Sequence, residues 1–206
     1  MSRLSSNSPI TLDVVHDLAT VPADDWNSGV SPNDPFTEHA FLALLEESNS
    51  VGRHAGWVPV HLVARQNDKV VGVAPLYLKN HSYGEYIFDW GWAESAHRAQ
   101  LPYYPKVVCA VPFTPATGRR LLGSDPSIRK ALLDGMHSVV EATQSHSLHI
   151  LFMTEAEHAS VYCVNSLLAR GAALLEGGPW AGLFHACPSC CRRTARRDER
   201  GAVYEA

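Results

Sequence analysis

From Ile10 to His16 apolar and polar residues alternate, the two-residue period of a strand with one buried face. Pro22-Ala-Asp-Asp-Trp26 then reads as a short helix start, its acidic residues near the positive end of the helix dipole. Ser31-Pro-Asn-Asp-Pro35 is a turn or loop. Thr37 is placed to cap the next helix, whose apolar face is Phe41, Leu44 and Leu45 at spacings of three and four. A hairpin follows. Trp57 to Ala64 alternates with Val58, Val60, Leu62 and Ala64 on one side, Gln66-Asn-Asp-Lys69 is turn-forming, and Val70 to Leu78 runs back as a second arm. Tyr83 to Trp90 is aromatic and reads as extended, Trp92 to Ala99 as a short helix, and Lys106 to Val111 as a buried strand.

Pro112 to Gly123 is expected to be a loop leading into a long helix over 125–145, with Ile128, Leu132, Leu133, Met136, Val139 and Val140 on its apolar side. Leu148 to Met153 reads as another buried strand. Glu155 to Arg170 reads as a helix stopped at Gly171, and Ala172 to Leu175 as the start of a further strand. The order predicts one mixed α/β domain over 10–176, after a polar, disordered start at 1–9. From Gly177 the apolar periodicity stops. The segment to residue 206 includes Cys187, Cys190 and Cys191 and the arginines 192, 193, 196, 197 and 200. It has neither strand alternation nor a helical face, so it reads as outside the fold.

The bulk numbers narrow the class. A chain of 206 residues, 46% hydrophobic, suits one domain with a sizeable core. A formal charge of -4 argues against a general nucleic-acid surface. No run approaches the roughly 18 consecutive apolar residues of a membrane helix, and the start shows no apolar secretion signal. Five cysteines, three of them crowded together, do not form an extracellular disulfide pattern, so the expected location is cytoplasmic.

Two constellations offer chemistry. In HSYGEYIFDWGWA, residues 81–93, ionisable and aromatic groups are dense. Glu85 or Asp89 becomes a general base if desolvation raises its pKa, and Tyr103 or Tyr104 can return a proton to a leaving thiolate. The plainer reading is an aromatic strand with solvated polar partners. In VPFTPATGRRLL, residues 111–122, a buried strand, Val111, Thr114, Gly118, Arg119 and Arg120 precede a long helix, the makings of an anion cradle. The plainer reading there is a strand–turn–helix with solvated arginines. The eleven histidines show no zinc spacing, and Cys187-Pro-Ser-Cys190-Cys191 is half a zinc knuckle without a second Cys pair, so no metal is expected.

The blocks PFTEHAFLALLEESNSVGRHAGWVPVHL, PLYLKNHSYGEYIFDWGWA, YYPKVVCAVPFTPATGRRLL and HILFMTEAE, in order from about Asp34 to Leu175, resemble a bacterial peptidoglycan biosynthesis/recognition family. That family belongs to the GNAT acyltransferase superfamily and is related to the FemAB aminoacyl transferases. The resemblance implies a GNAT-like fold with a mixed, largely antiparallel central sheet flanked by helices, and transfer of an acyl or aminoacyl group to an amine. It makes Val111–Leu122 the counterpart of the loop that holds the pyrophosphate of acyl-CoA, although the closely spaced glycines usual there are missing. Family members are also longer, and Gly182-Leu-Phe-His185 keeps a trace of their continuation. The expectation is therefore a truncated chain lacking a C-terminal domain, its Cys/Arg-rich tail arising from a shifted frame or a truncated gene.

Three functions stand at this point. One is an N-acyltransferase using acyl-CoA or another activated acyl donor on a small-molecule or peptide amine, with Glu85, Asp89, Tyr103 and Tyr104 as catalytic candidates. Another is a non-catalytic domain that recognises a peptide or glycan by stacking on Tyr83, Tyr86, Trp90 and Trp92. The third is an inactive fragment.

Overall fold

The computed structural model describes residues 8–87 and 89–158. The helix expected to reach Arg170, the strand at Ala172–Leu175 and the segment 177–206 with its cysteines lie outside the described residues, apart from a first helical turn at 155–158. The elements run β1 (Thr11–Val15), α1 (Ala23–Asn27), α2 (His39–Glu47), β2 (Trp57–Pro59), β3 (His61–Gln66), β4 (Lys69–Ala74), β5 (Leu76–Lys79), α3 (Trp90–Arg98), β6 (Lys106–Cys109), β7 (Leu122–Gly123), α4 (Pro126–Ala142) and β8 (Leu148–Ile150). This is the mixed, largely antiparallel α/β fold flanked by helices that the chain resembles.

The strands form two sheets, ordered β1-β3-β4-β7 and β2-β5-β6-β8. All pairs are antiparallel except β6 with β8. The hairpin is the joint between them. Its turn is as expected: Asn67 and Asp68 both take positive φ (52° and 61°), the twist a two-residue hairpin turn needs. Each arm, however, is two strands rather than one. The outgoing arm breaks after Pro59 and the returning arm at Pro75, and each passes from one sheet to the other. A proline has no N–H for the ladder, so it belongs where a strand ends or bends. The Val60 N–H still bonds the Leu76 carbonyl at 2.9 Å and keeps the arms together through the corner.

Three apolar clusters follow from this layout. α4 lies against one face of both sheets, so Leu62 and Ala64 from the first sheet and Leu76, Val107, Cys109, Leu148 and Ile150 from the second share a core with Leu132, Leu133 and Met136. The other face of the first sheet buries Val63 and Val73 beneath Trp26 of α1 and Leu42 of α2. The other face of the second sheet carries Trp57, Tyr77 and Val108, with Ile87 packed against them.

Several local expectations are corrected. Thr37 does not cap α2; Glu38 holds the cap position without a side-chain bond, and the Thr37 hydroxyl donates to the Asp34 carbonyl at 3.2 Å. Leu44 is 58% exposed, and the buried residue of that helix is Leu42. The segment after His81 is not extended. It turns through Gly84 and Tyr86, both at positive φ, and α3 begins at Trp90. α4 ends at Ala142, and β7 interrupts the loop before it. Among the described residues no helix is long and apolar enough to cross a membrane.

Candidate functional site

The face of the second sheet turned away from α4 carries an unusual row. β2 pairs Trp57 with Lys79, and β5 pairs Lys79 with Lys106 of β6. Two lysines directly opposite on antiparallel strands repel, so this pairing holds only if counter-charge is supplied. The segment 81–89 supplies it. Lys106 Nζ donates to Glu85 Oε2 at 2.8 Å, to Asp89 Oδ2 at 2.6 Å and to Ser82 Oγ at 2.8 Å. Lys79 Nζ donates to the Tyr83 carbonyl at 2.8 Å, lies 3.5 Å from Glu85 Oε1, and sits 3.4 Å from the centre of the Trp57 ring as a cation–π contact. The Tyr103 hydroxyl donates to Asp89 Oδ2 at 2.7 Å, and the Tyr104 hydroxyl shares a hydrogen bond with Ser82 Oγ at 2.7 Å. Two positive and two negative side chains thus balance inside a site where Lys79, Lys106 and Asp89 are fully buried and Glu85 is 2% exposed.

The electrostatics are not symmetric. Burial holds the Lys79 ammonium down to about 7, with repulsion from Lys106 adding to it and Glu85 opposing it. Burial raises the Glu85 carboxyl above its ordinary range despite the attraction of both lysines. At Asp89 burial acts upward too, but the charge and hydrogen bond of Lys106, with the Tyr103 hydrogen bond, outweigh it and hold the carboxyl low. Burial and the Asp89 hydrogen bond push the Tyr103 phenol up, so it keeps its proton. Glu85 Oε1 and Asp89 Oδ1 are buried without a hydrogen-bond partner. The arrangement therefore pairs a carboxylate that protonates readily with an amine that deprotonates readily, with Glu85 Oε1 facing the Lys79 ammonium and Asp89 Oδ1 buried without a hydrogen bond.

The four catalytic candidates Glu85, Asp89, Tyr103 and Tyr104 converge on one amine, Lys106. Sequence reasoning missed Lys79, Lys106 and Ser82. Each lysine ends an apolar strand run, PLYLK or KVVCAV, where a lysine ordinarily snorkels to solvent. The one available signal was register: pairing the two runs antiparallel places the lysines opposite each other.

The second constellation is not gathered in the same way. Val111 is buried in the core beneath α1 and α2. The Thr114 hydroxyl donates to the Pro112 carbonyl at 3.0 Å, and Arg119 donates to the Gly123 carbonyl at 2.6 Å. Arg120 is 1% exposed and donates to the carbonyls of Leu151, Arg119 and Ala116. Glu157 accepts the N–H groups of Arg120 and Leu121. The Gly118 N–H donates to the Phe152 carbonyl at 2.9 Å, and a Cβ there would lie 2.3 Å from Asp34 Oδ2. Gly118 thus admits the Asp34 carboxylate, whose charge, like that of Glu157, acts on the buried Arg120 guanidinium. The start of α4 is likewise occupied, since Asp125 caps it by accepting the Ser127 N–H at 2.7 Å. Among the described residues no group of His, Cys, Asp and Glu side chains is arranged to hold a metal.

Above the buried charges the surface is aromatic. Tyr83, Tyr86, Trp90 and Trp92 are 69%, 52%, 53% and 41% exposed, and α3 buries none of its residues. A family model described as FemAB-like, peptidoglycan biosynthesis/recognition, matches residues 17–172, a span that contains the whole cluster. No curated protein and no solved structure matches the chain.

Proposed function

Because the chain belongs to the FemAB-like peptidoglycan biosynthesis/recognition family, we propose that it transfers an acyl or aminoacyl group to an amine, with the Lys106 cluster as the reacting site. The observation that carries this reading is Glu85: buried, raised by its burial, and beside a lysine held near neutrality. In the proposed step the amine nitrogen of the acceptor bonds to the carbonyl carbon of an activated acyl donor, and the bond to the leaving group breaks. The proton lost by the amine passes to the Glu85–Lys79 pair, and Tyr104 supplies one to the leaving group, with Tyr103 holding Asp89 in place. The lysine ammonium and phenol donors suit a carbonyl oxygen as it gains charge. Access requires the roof, residues 83–104, to lift. The donor is acyl-CoA or another activated acyl group, and the acceptor a small-molecule or peptide amine in the cytoplasm. On the donor side Arg119, half-exposed, is the arginine nearest to solvent in the 111–122 segment.

Acetyl-CoA binding by calorimetry and thiol release in the presence of lysine as acceptor test the proposal. Glu85→Gln is expected to lower thiol release about 10²- to 10⁴-fold with donor binding retained, the size of a lost general base. A folded sample that fails to bind millimolar acetyl-CoA excludes the CoA donor. The exposed aromatic row favours a second reading, recognition of a glycan or peptide without chemistry. In that case Trp90→Ala and Trp92→Ala abolish binding to peptidoglycan fragments, and Glu85→Gln leaves it intact.

A further inference from the structure

A cleft of about 550 Å³ opens where the end of β1, the C-terminal end of α2 and the turn before β2 meet. Its volume falls within the range of small-ligand sites, roughly 300–1,000 Å³. It is not an extension of the Lys106 cluster, because the buried rings of Tyr77 and Trp57 stack in sequence between His61 and Lys79.

One wall is Glu46, whose side chain is 15% exposed. One oxygen accepts the Leu18 N–H at 2.9 Å and the other accepts from His61 Nε2 at 2.9 Å. His61 is fully buried, and its Nδ1 accepts the Leu76 N–H at 3.1 Å. A ring nitrogen that accepts carries no proton, so the imidazole holds one proton, on Nε2, and no charge. Both partners of Glu46 are therefore neutral. They engage each oxygen once, leaving further lone pairs open, and they leave its negative charge uncompensated where most of its water has been removed, a situation that suits a counter-ion.

Asp17, which is exposed, likewise has a neutral donor, its carboxylate accepting the Ala19 N–H at 2.9 Å. Glu47 adds a third carboxylate to the lining. Among the described residues no lysine or arginine forms an ion pair with any of the three. Among the described residues Arg53 is the one lysine or arginine of the lining, beside His16 and His54, and it is exposed. We propose that this cleft binds a small zwitterion of the amino-acid or short-peptide class, its ammonium held by Glu46 with Asp17 and Glu47, its carboxylate by Arg53. The proposal does not rest on the transfer reaction above.

Calorimetric titration of the full chain with trialanine, N-acetyl-trialanine and trialanine amide tests it. The free peptide is expected to bind one to one. Acetylation, which removes the ammonium, should weaken binding roughly tenfold or more, the worth of one charged hydrogen bond. Glu47→Gln and Arg53→Ala lie at exposed positions where folding is not at stake, and each should weaken the free peptide. Arg53→Ala should make no difference to the amide. Glu46→Gln should weaken it most. Equal binding of free and acetylated peptides overturns the proposal. So does absence of binding at millimolar peptide, or parental affinity in both exposed-site variants.

Discussion

His149 shows how far burial alone can move one side chain. It lies on β8 opposite Val108, on the face that carries Lys106, and it is 1% exposed. Nε2 and the Ser147 hydroxyl share a hydrogen bond at 2.7 Å, whereas Nδ1 has no partner. Burial, with repulsion from Lys106, holds the imidazole down at about 3, against 6.5 ordinarily. The sign of the consequence is fixed by linkage. Between 6.5 and about 3 the unfolded chain binds a proton that the folded chain refuses, so stability is lost as the pH falls through that window. His149→Phe is expected to remove this part of the acid sensitivity. Urea unfolding at pH 7 and pH 4 measures it, and an equal loss in parent and variant rules His149 out as the cause. The same burial acts on Lys79 and Glu85, lowering the ammonium and raising the carboxyl.

At the scale of elements, the close approach of α4 to the first sheet depends on a missing side chain. A Cβ at Gly72 of β4 would lie 2.5 Å from Ile128 Cγ2 and 3.3 Å from both Leu132 Cδ1 and the Leu122 carbonyl oxygen. Ile128 and Leu132 belong to the core shared by both sheets, so they cannot swing to solvent. Gly72→Ala is expected to destabilise by about 1–3 kcal/mol, the usual penalty of overpacking, in spite of the entropy it removes from the unfolded chain. Denaturant midpoints decide it; an unchanged or raised midpoint means that α4 can shift freely. α3 is the opposite case. It is amphipathic in sequence but buries nothing, and it is anchored through Asp89 before it and Tyr103 and Tyr104 after it. That anchorage makes it a roof over the charges and not a part of the core.

At the scale of the whole molecule, the described residues are held as one unit by the bent hairpin and α4. Both arms of the hairpin run through both sheets, and α4 packs on the shared core, so neither sheet can lose its packing without exposing the other. Two tryptophans report on the two ends of this arrangement, Trp26 beneath the first sheet and Trp57 on the second. In a background with Trp90, Trp92 and Trp180 replaced by Phe, Trp26→Phe and Trp57→Phe, each leaving the other as the probe, are expected to show fluorescence transitions that coincide with loss of far-UV circular dichroism. Separate midpoints for fluorescence and dichroism within one variant mean that the sheets unfold independently.

Period and propensity were enough to find β1, the Asn67–Asp68 turn, β6, α4 and β8, because each is decided by its own alternation, turn residues or apolar stripe. They also drew attention to Glu85, Asp89, Tyr103 and Tyr104, because such residues are dense in one short stretch. They did not reveal that the hairpin arms change sheets, since a proline in an alternating run marks a break but not the direction taken after it. They did not reveal Lys79 and Lys106, since a lysine at a strand end looks solvated until the pairing register sets it against another. The Glu46–His61 pair was equally invisible, being made by residues 15 apart on a helix and a strand. Local pattern determined which segments fold. Only the tertiary structure decided which charges lose their water and which partners they find there, because desolvation and pairing depend on what packs above a residue and not on its neighbours in the chain.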